Sequence, residues 1–172
     1  MLDADSLQIK RPLPPLIAKA VEHRGIKPED LLVSTDTDLQ ISGEYAESWI
    51  VVNHEYVLVY FVDDETNEAL LLKEIPINTV ETARADTRVG SGFIEVKRNG
   101  VFEELLRFSN KNADKFAKVT SIIKSLAEGR QIQALPEKEE RIGRCEKCGV
   151  RLPDRNMKVC PKCLKRGAVF LR

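Results

Sequence analysis

The chain has 172 residues, with 27 Lys and Arg against 27 Asp and Glu, 42% hydrophobic residues and 31% charged ones. That length holds one ordinary domain plus a small module, and no apolar run approaches the ~20 residues of a membrane helix. The zero net charge hides a split: residues 1–140 hold 17 bases and 25 acids, a balance of −8, and residues 141–172 hold 10 bases and 2 acids, a balance of +8. Met1-Leu2-Asp3-Ala4-Asp5 lacks the basic-then-apolar pattern of a signal peptide.

Residues 1–25 read as a lead-in and a short helix. Arg11-Pro12-Leu13-Pro14-Pro15 has the form of an SH3 ligand, but a proline-stiffened approach to the helix is the plainer reading. Leu16 to Arg24 is amphipathic, Gly25 suits a helix stop, and His23 belongs on its surface. Residues 26–130 then read mostly as strands. Asp30–Ser34 is the first candidate, and Trp49–Val52 and Tyr56–Phe61 flank a hairpin turn at Asn53-His54-Glu55. Ala69–Ile75 follows the acidic loop Asp63-Asp64-Glu65, and Asn78–Arg84 is the next candidate. Gly90-Ser91-Gly92 reads as a turn between strands. Phe93–Lys97 and Val101–Phe108 flank Asn99-Gly100, the strongest short hairpin signal. The period then changes: Ala113, Phe116, Val119, Thr120, Ile123, Leu126 and Ala127 share one helical face, with Ser109 or Asn110 as cap and Gly129 as stop. Residues 131–144 have the composition of a polar linker.

All four cysteines fall in residues 145–172. Cys145 and Cys148 form one Cys-x-x-Cys hook, and Cys160 and Cys163 form the other. Two residues between thiolates let one tight turn aim both at one point, so the two hooks can close a tetrahedral four-sulfur shell around zinc. Four soft ligands leave no open position for water, which makes the site a structural zinc ribbon rather than a catalytic centre. The same ligands can also hold iron, and in an oxidising compartment they could pair as two disulfides. Bases surround the hooks and offset the thiolate charge.

Other chemistry is sparse. Neither a Gly-x-x-x-x-Gly-Lys phosphate loop nor a nucleophile elbow is present. His23 and His54 are far apart in sequence, and the paired acids Asp36/Asp38 and Asp63/Asp64 read as solvated loops. Asp36, Asp38, Glu44 and Glu47 would repel a lipid phosphate. The tail's balance of +8 is a warrant for nucleic-acid binding, yet Phe170 is the only aromatic beyond residue 140 to stack a base. The chain by itself reads as a non-enzyme.

About seven antiparallel strands followed by one amphipathic helix is a mainly β, α+β plan, that of a pleckstrin-homology-like barrel capped by its C-terminal helix and here followed by a small zinc ribbon. Gly43–Val52, Arg84–Val96, Glu104–Asn110 and the cysteine segment together resemble the soluble N-terminal region of a group of bacterial ABC exporters, over about residues 25–172. The resemblance implies a cytoplasmic accessory module at the cytoplasmic face of the inner membrane, regulatory rather than catalytic. The ribbon would join the barrel to membrane and ATPase domains that follow, and Lys165–Arg172 would lead toward the first span. Arg151, Arg155, Lys158, Lys162, Lys165, Arg166 and Arg172 would then face an anionic membrane surface or a partner. The implied partners are another protein, the transporter's own domains or a second copy of the chain. No span, Walker motif or ABC signature occurs in these 172 residues, so ATP hydrolysis and transport would belong to the rest of such a parent. The rival reading is a free-standing zinc-ribbon adaptor that binds nucleic acid or a protein.

Overall fold

The computed structural model describes residues 9–132. They comprise α1 (Pro15–His23), seven strands and α2 (Ala113–Ala127). The strands are β1 (Val33–Leu39), β2 (Tyr45–Val52), β3 (Tyr56–Asp63), β4 (Glu68–Pro76), β5 (Thr82–Thr87), β6 (Ser91–Arg98) and β7 (Val101–Ser109). They form one antiparallel sheet in the order β4-β3-β2-β1-β7-β6-β5. β1 and β2 pair over most of their length, whereas the β1–β7 ladder has a single pair, Leu39 opposite Arg107. The sheet therefore nearly splits into four strands and three. Ile50, Val59 and Ile75 from the first part pack with Ile94, Leu105 and Phe108 from the second, so the sheet bends over one core. Its two edges, β4 and β5, do not pair. The mostly-β plan with a C-terminal helix stands; the closed barrel does not, because the backbone groups of the two terminal strands, β4 and β5, form no ladder with each other.

Burial on both faces explains the unbroken apolar runs in β2 and β3. Ile50, Val52, Val57 and Val59 point into the main core, and the alternating Trp49, Val51, Leu58 and Tyr60 point the other way, against Ile17 and Val21 of α1. A strand covered on one side only would have alternated with polar residues. α1 thus lies on the outer face of the four-stranded part. α2 packs mainly against β5 and places Phe116, Val119 and Ile123, all fully buried, in the main core. The Phe116 ring stacks on Phe108 with centroids 4.7 Å apart. Thr120 is buried on the same face because its hydroxyl donates to the Phe116 carbonyl one turn back, at 2.7 Å.

Several boundaries differ from the sequence reading. The first strand begins at Val33, not at Asp30, and runs on through Ser-Thr-Asp-Thr-Asp. Ser34, Thr35 and Thr37 are buried there, and their polarity concealed the strand. The Ser34 hydroxyl donates to the Arg11 carbonyl at 2.8 Å and that of Thr37 to the Arg107 carbonyl, so burial leaves neither unsatisfied. The candidate at Asn78–Arg84 resolves into the 3-10 turn and β5. Only Gly90 of Gly90-Ser91-Gly92 is in the turn, at φ 86°; Ser91 and Gly92 belong to β6. Ser109 does not cap α2, since its amide and hydroxyl are held by Asp38, and a 3-10 turn at Asn110–Asn112 intervenes. The Asn99-Gly100 hairpin is as expected, with φ 50° and 78° giving the two left-handed positions of a type I′ turn.

Candidate functional site

The chemistry-bearing residues singled out from sequence divide between described and undescribed parts of the chain. Cys145, Cys148, Cys160 and Cys163 lie outside the described residues, as do Arg151, Arg155, Lys158, Lys162, Lys165, Arg166 and Arg172. Among the described residues, no group of three or more His, Cys, Asp or Glu side chains could hold a metal. His23 and His54 are both exposed, as read from sequence.

The acids near the start of the sheet are placed differently from the sequence reading. Asp36 and Asp38 sit on β1, not in a loop, and both are engaged by cations. Asp36 Oδ1 lies 2.5 Å from Arg11 Nη1 and 3.5 Å from Lys115 Nζ, and Lys115 also donates to the Asp36 carbonyl at 2.6 Å. Lys115 is only 8% exposed, so its ammonium, desolvated in the junction of α2 with β1, is matched by the aspartate. Burial pushes the Lys115 pKa down, and the Asp36 charge opposes that shift. For Asp36, burial acts to raise the pKa, but the Lys115 charge and the Arg11 hydrogen bond together carry it below the usual carboxylate value. Asp38 is also shifted well down: burial opposes ionisation, and the Ser109 hydroxyl at 2.5 Å, the Ser109 amide at 2.9 Å and Lys111 outweigh it. These contacts tie β1 to the start of α2. Asp63, by contrast, ends β3 and shapes the turn after it: its Oδ1 accepts from the Glu65 amide at 2.9 Å and the Thr66 amide at 3.4 Å.

A cleft of about 560 Å³ opens where the end of α1 faces the β2–β3 turn. Arg24, Gly25, Ile26, Asp30, Asn53, His54, Glu55 and Tyr56 line it. Its polar groups are largely committed already. Arg24 pairs with Glu74, and Asn53 Oδ1 accepts from the amides of Glu55 at 3.0 Å and Tyr56 at 2.7 Å, which fixes the turn. Nearby, Tyr60 is buried with no partner for its hydroxyl, and burial raises its pKa. The turn at Asn53-His54-Glu55 was legible in sequence; that α1 ends beside it was not, because no local signal encodes a contact with a strand pair some thirty residues away.

Two further surfaces stand out. β4 is an edge strand that exposes Leu70, Leu71 and Leu72 at 41%, 36% and 47%. An apolar, unpaired edge is a ready template for contact with another chain. The sequence placed a strand here, at Ala69–Ile75, without indicating that it is an edge. On the outer face of β5–β7, the Arg84 guanidinium lies 3.8 Å from the Phe102 ring centroid and pairs with Glu95 at 2.7 Å, and Arg88 covers Phe93. That face offsets its own charges and resembles an ordinary solvated surface. Among the described residues, no helix is long and apolar enough to cross a membrane. No family model matches the chain, and no curated protein matches it.

Proposed function

We propose that this chain is a non-catalytic interaction module, built from a pleckstrin-homology-like domain and a structural zinc ribbon, that serves as the cytoplasmic accessory region of an exporter-type transporter. The observation that carries the reading is the combination of a four-plus-three strand order with a C-terminal helix laid into the main core. That is the plan expected of such a domain. The unpaired, leucine-bearing β4 edge supports a role in binding protein, either another chain or a second copy. The Asp36 and Asp38 networks are consistent with acids used to fasten elements rather than to transfer protons. In the remainder of the chain, Cys145, Cys148, Cys160 and Cys163 would hold one zinc, and the surrounding bases would lie near anionic headgroups, where each contributes about 1 kcal/mol.

The genomic reading frame beyond Arg172 tests the exporter assignment. Hydrophobic spans followed by a nucleotide-binding domain are expected, and a stop codon would contradict it. The balance of +8 over residues 141–172 favours one alternative, a nucleic-acid-binding ribbon. Binding to an oligonucleotide that weakens steeply with salt, with no preference for anionic vesicles, would favour that alternative.

A further inference from the structure

β1 is paired along one side by β2, but on its other side the β7 ladder is limited to Leu39 opposite Arg107, and β7 otherwise holds β1 through the side chains of Thr37 and Asp38. Beside Ser34 that second side is occupied by Ile9, Lys10 and Arg11. Lys10 forms a parallel bridge with Ser34; the Ser34 amide donates to the Ile9 carbonyl at 2.9 Å, and the Arg11 amide donates to the Ser34 carbonyl at 2.6 Å. Lys10 makes an isolated bridge rather than a regular strand, so the side chains two positions apart diverge: Ile9 enters the main core and Arg11 turns to a charged partner on the other side of the sheet. Ile9 is 5% exposed and belongs to the main core. Arg11 pairs with Asp36 and lies 5.8 Å from the centroid of the Trp49 ring. Pro12 and Pro14 follow at once and stiffen the link to α1, which opens on Pro15.

We propose that the side of β1 around Ser34 is a peptide-binding groove, that Ile9–Arg11 is its resident occupant, and that it accepts in their place an extended peptide with an aliphatic residue two positions before an arginine. The groove supplies the three elements such a ligand needs: a backbone donor and acceptor at Ser34, an opening in the core for the aliphatic side chain, and the Asp36 carboxylate for the base. The resident segment is short. An attachment held by one bridge and two backbone hydrogen bonds opens locally without unfolding the domain, and the tether gives the segment a millimolar effective concentration against competitors. A peptide supplied in trans therefore binds well only when the resident segment is removed.

The test uses a chain that begins at Pro12 and a synthetic peptide of residues 6–13. Trp49, the only tryptophan in the chain, reports occupancy by its fluorescence. The truncated chain should bind the peptide saturably, and the peptides Ile9→Asp and Arg11→Glu should each bind at least tenfold more weakly. Absence of saturable binding by a folded truncated chain, or equal binding of all three peptides, overturns the proposal. If the truncated chain does not fold, amide exchange in the intact chain decides. The Arg11 and Ser34 amides should exchange at least a hundredfold faster than that of Leu58, and equal protection overturns exchangeability. A dimer of the intact chain that dissociates on addition of the peptide would mean that the segment is traded between copies, which overturns its assignment to its own groove.

Discussion

Gly92 gives the sharpest test of how β6 meets β7. It lies opposite Phe108 in the ladder, and a Cβ at that position would fall 2.5 Å from Phe108 Cζ and 3.0 Å from the Asp86 carbonyl oxygen. Phe108 has no room to retreat, since it is fully buried and stacked on Phe116. Overpacking of this kind costs about 1–3 kcal/mol, against the gain of roughly 0.5–1 kcal/mol that alanine ordinarily brings to a strand interior. Gly92→Ala should therefore lower the urea midpoint by about 1 M, at an m-value of about 1–3 kcal/mol/M. Phe108→Leu alone removes ring contacts and should cost about 1–2 kcal/mol by interpolation between small and large core truncations. In the double variant the added methyl finds space, so the two losses should fall short of their sum by about 1 kcal/mol. Equilibrium denaturation followed by Trp49 fluorescence and by circular dichroism measures all four corners of the cycle. Losses that add within roughly 0.5 kcal/mol would refute the placement of Gly92 against the Phe108 ring.

Two predictions concern the ion pairs at β1. The folded pKa values of Asp36 and Asp38 both lie below those of the unfolded chain, so protonation favours unfolding. Their contribution is complete above the unfolded value of about 3.9 and is lost as pH falls through the lowered folded values. Asp38→Asn should flatten the acid limb of a stability-versus-pH curve and leave the shape above pH ~6 unchanged; a limb as steep as wild type would contradict the Ser109 contact. Lys115→Ala should destabilise by about 1–3 kcal/mol because it leaves the Asp36 carbonyl without its donor and empties a buried site. Lys115→Met keeps the buried stem and should lose less in a thermal melt; equal losses would assign the role to charge alone.

What could be read from the sequence depended on whether the signal was local. The Asn99-Gly100 turn and the apolar face of α2 were legible because a two-residue turn type and a 3.6-residue period leave their mark in a few neighbouring positions. β1 was misplaced because its buried Ser34, Thr35 and Thr37 look like a polar loop, and their hydrogen-bond partners at Arg11 and Arg107 lie far off in sequence. Leu70–Leu72 were legible as part of a strand but not as an edge, because whether a strand is central or at an edge is decided by pairing outside the segment. The lead-in looked like an appendage, yet Ile9 and Ile17 each enter a core, a contact that only the folded sheet creates. For the candidate site, spacing alone named the four cysteines, because metal ligation by two hooks is a local pattern. The groove at Ser34 left none, since it is formed by the gap between β1 and β7.

Zinc content tests the proposed zinc-ribbon module most directly. A ribbon this small has little core of its own, so metal binding should supply its folding free energy, of the order of 10–16 kcal/mol. The purified chain should contain one zinc per molecule, and cobalt substituted for it should show tetrahedral thiolate bands. Cys145→Ser should lose the metal and render residues 141–172 protease-sensitive while residues 9–132 stay folded. A chain purified under reducing conditions that binds no metal, or a variant whose last 32 residues resist protease as well as wild type, would contradict the account.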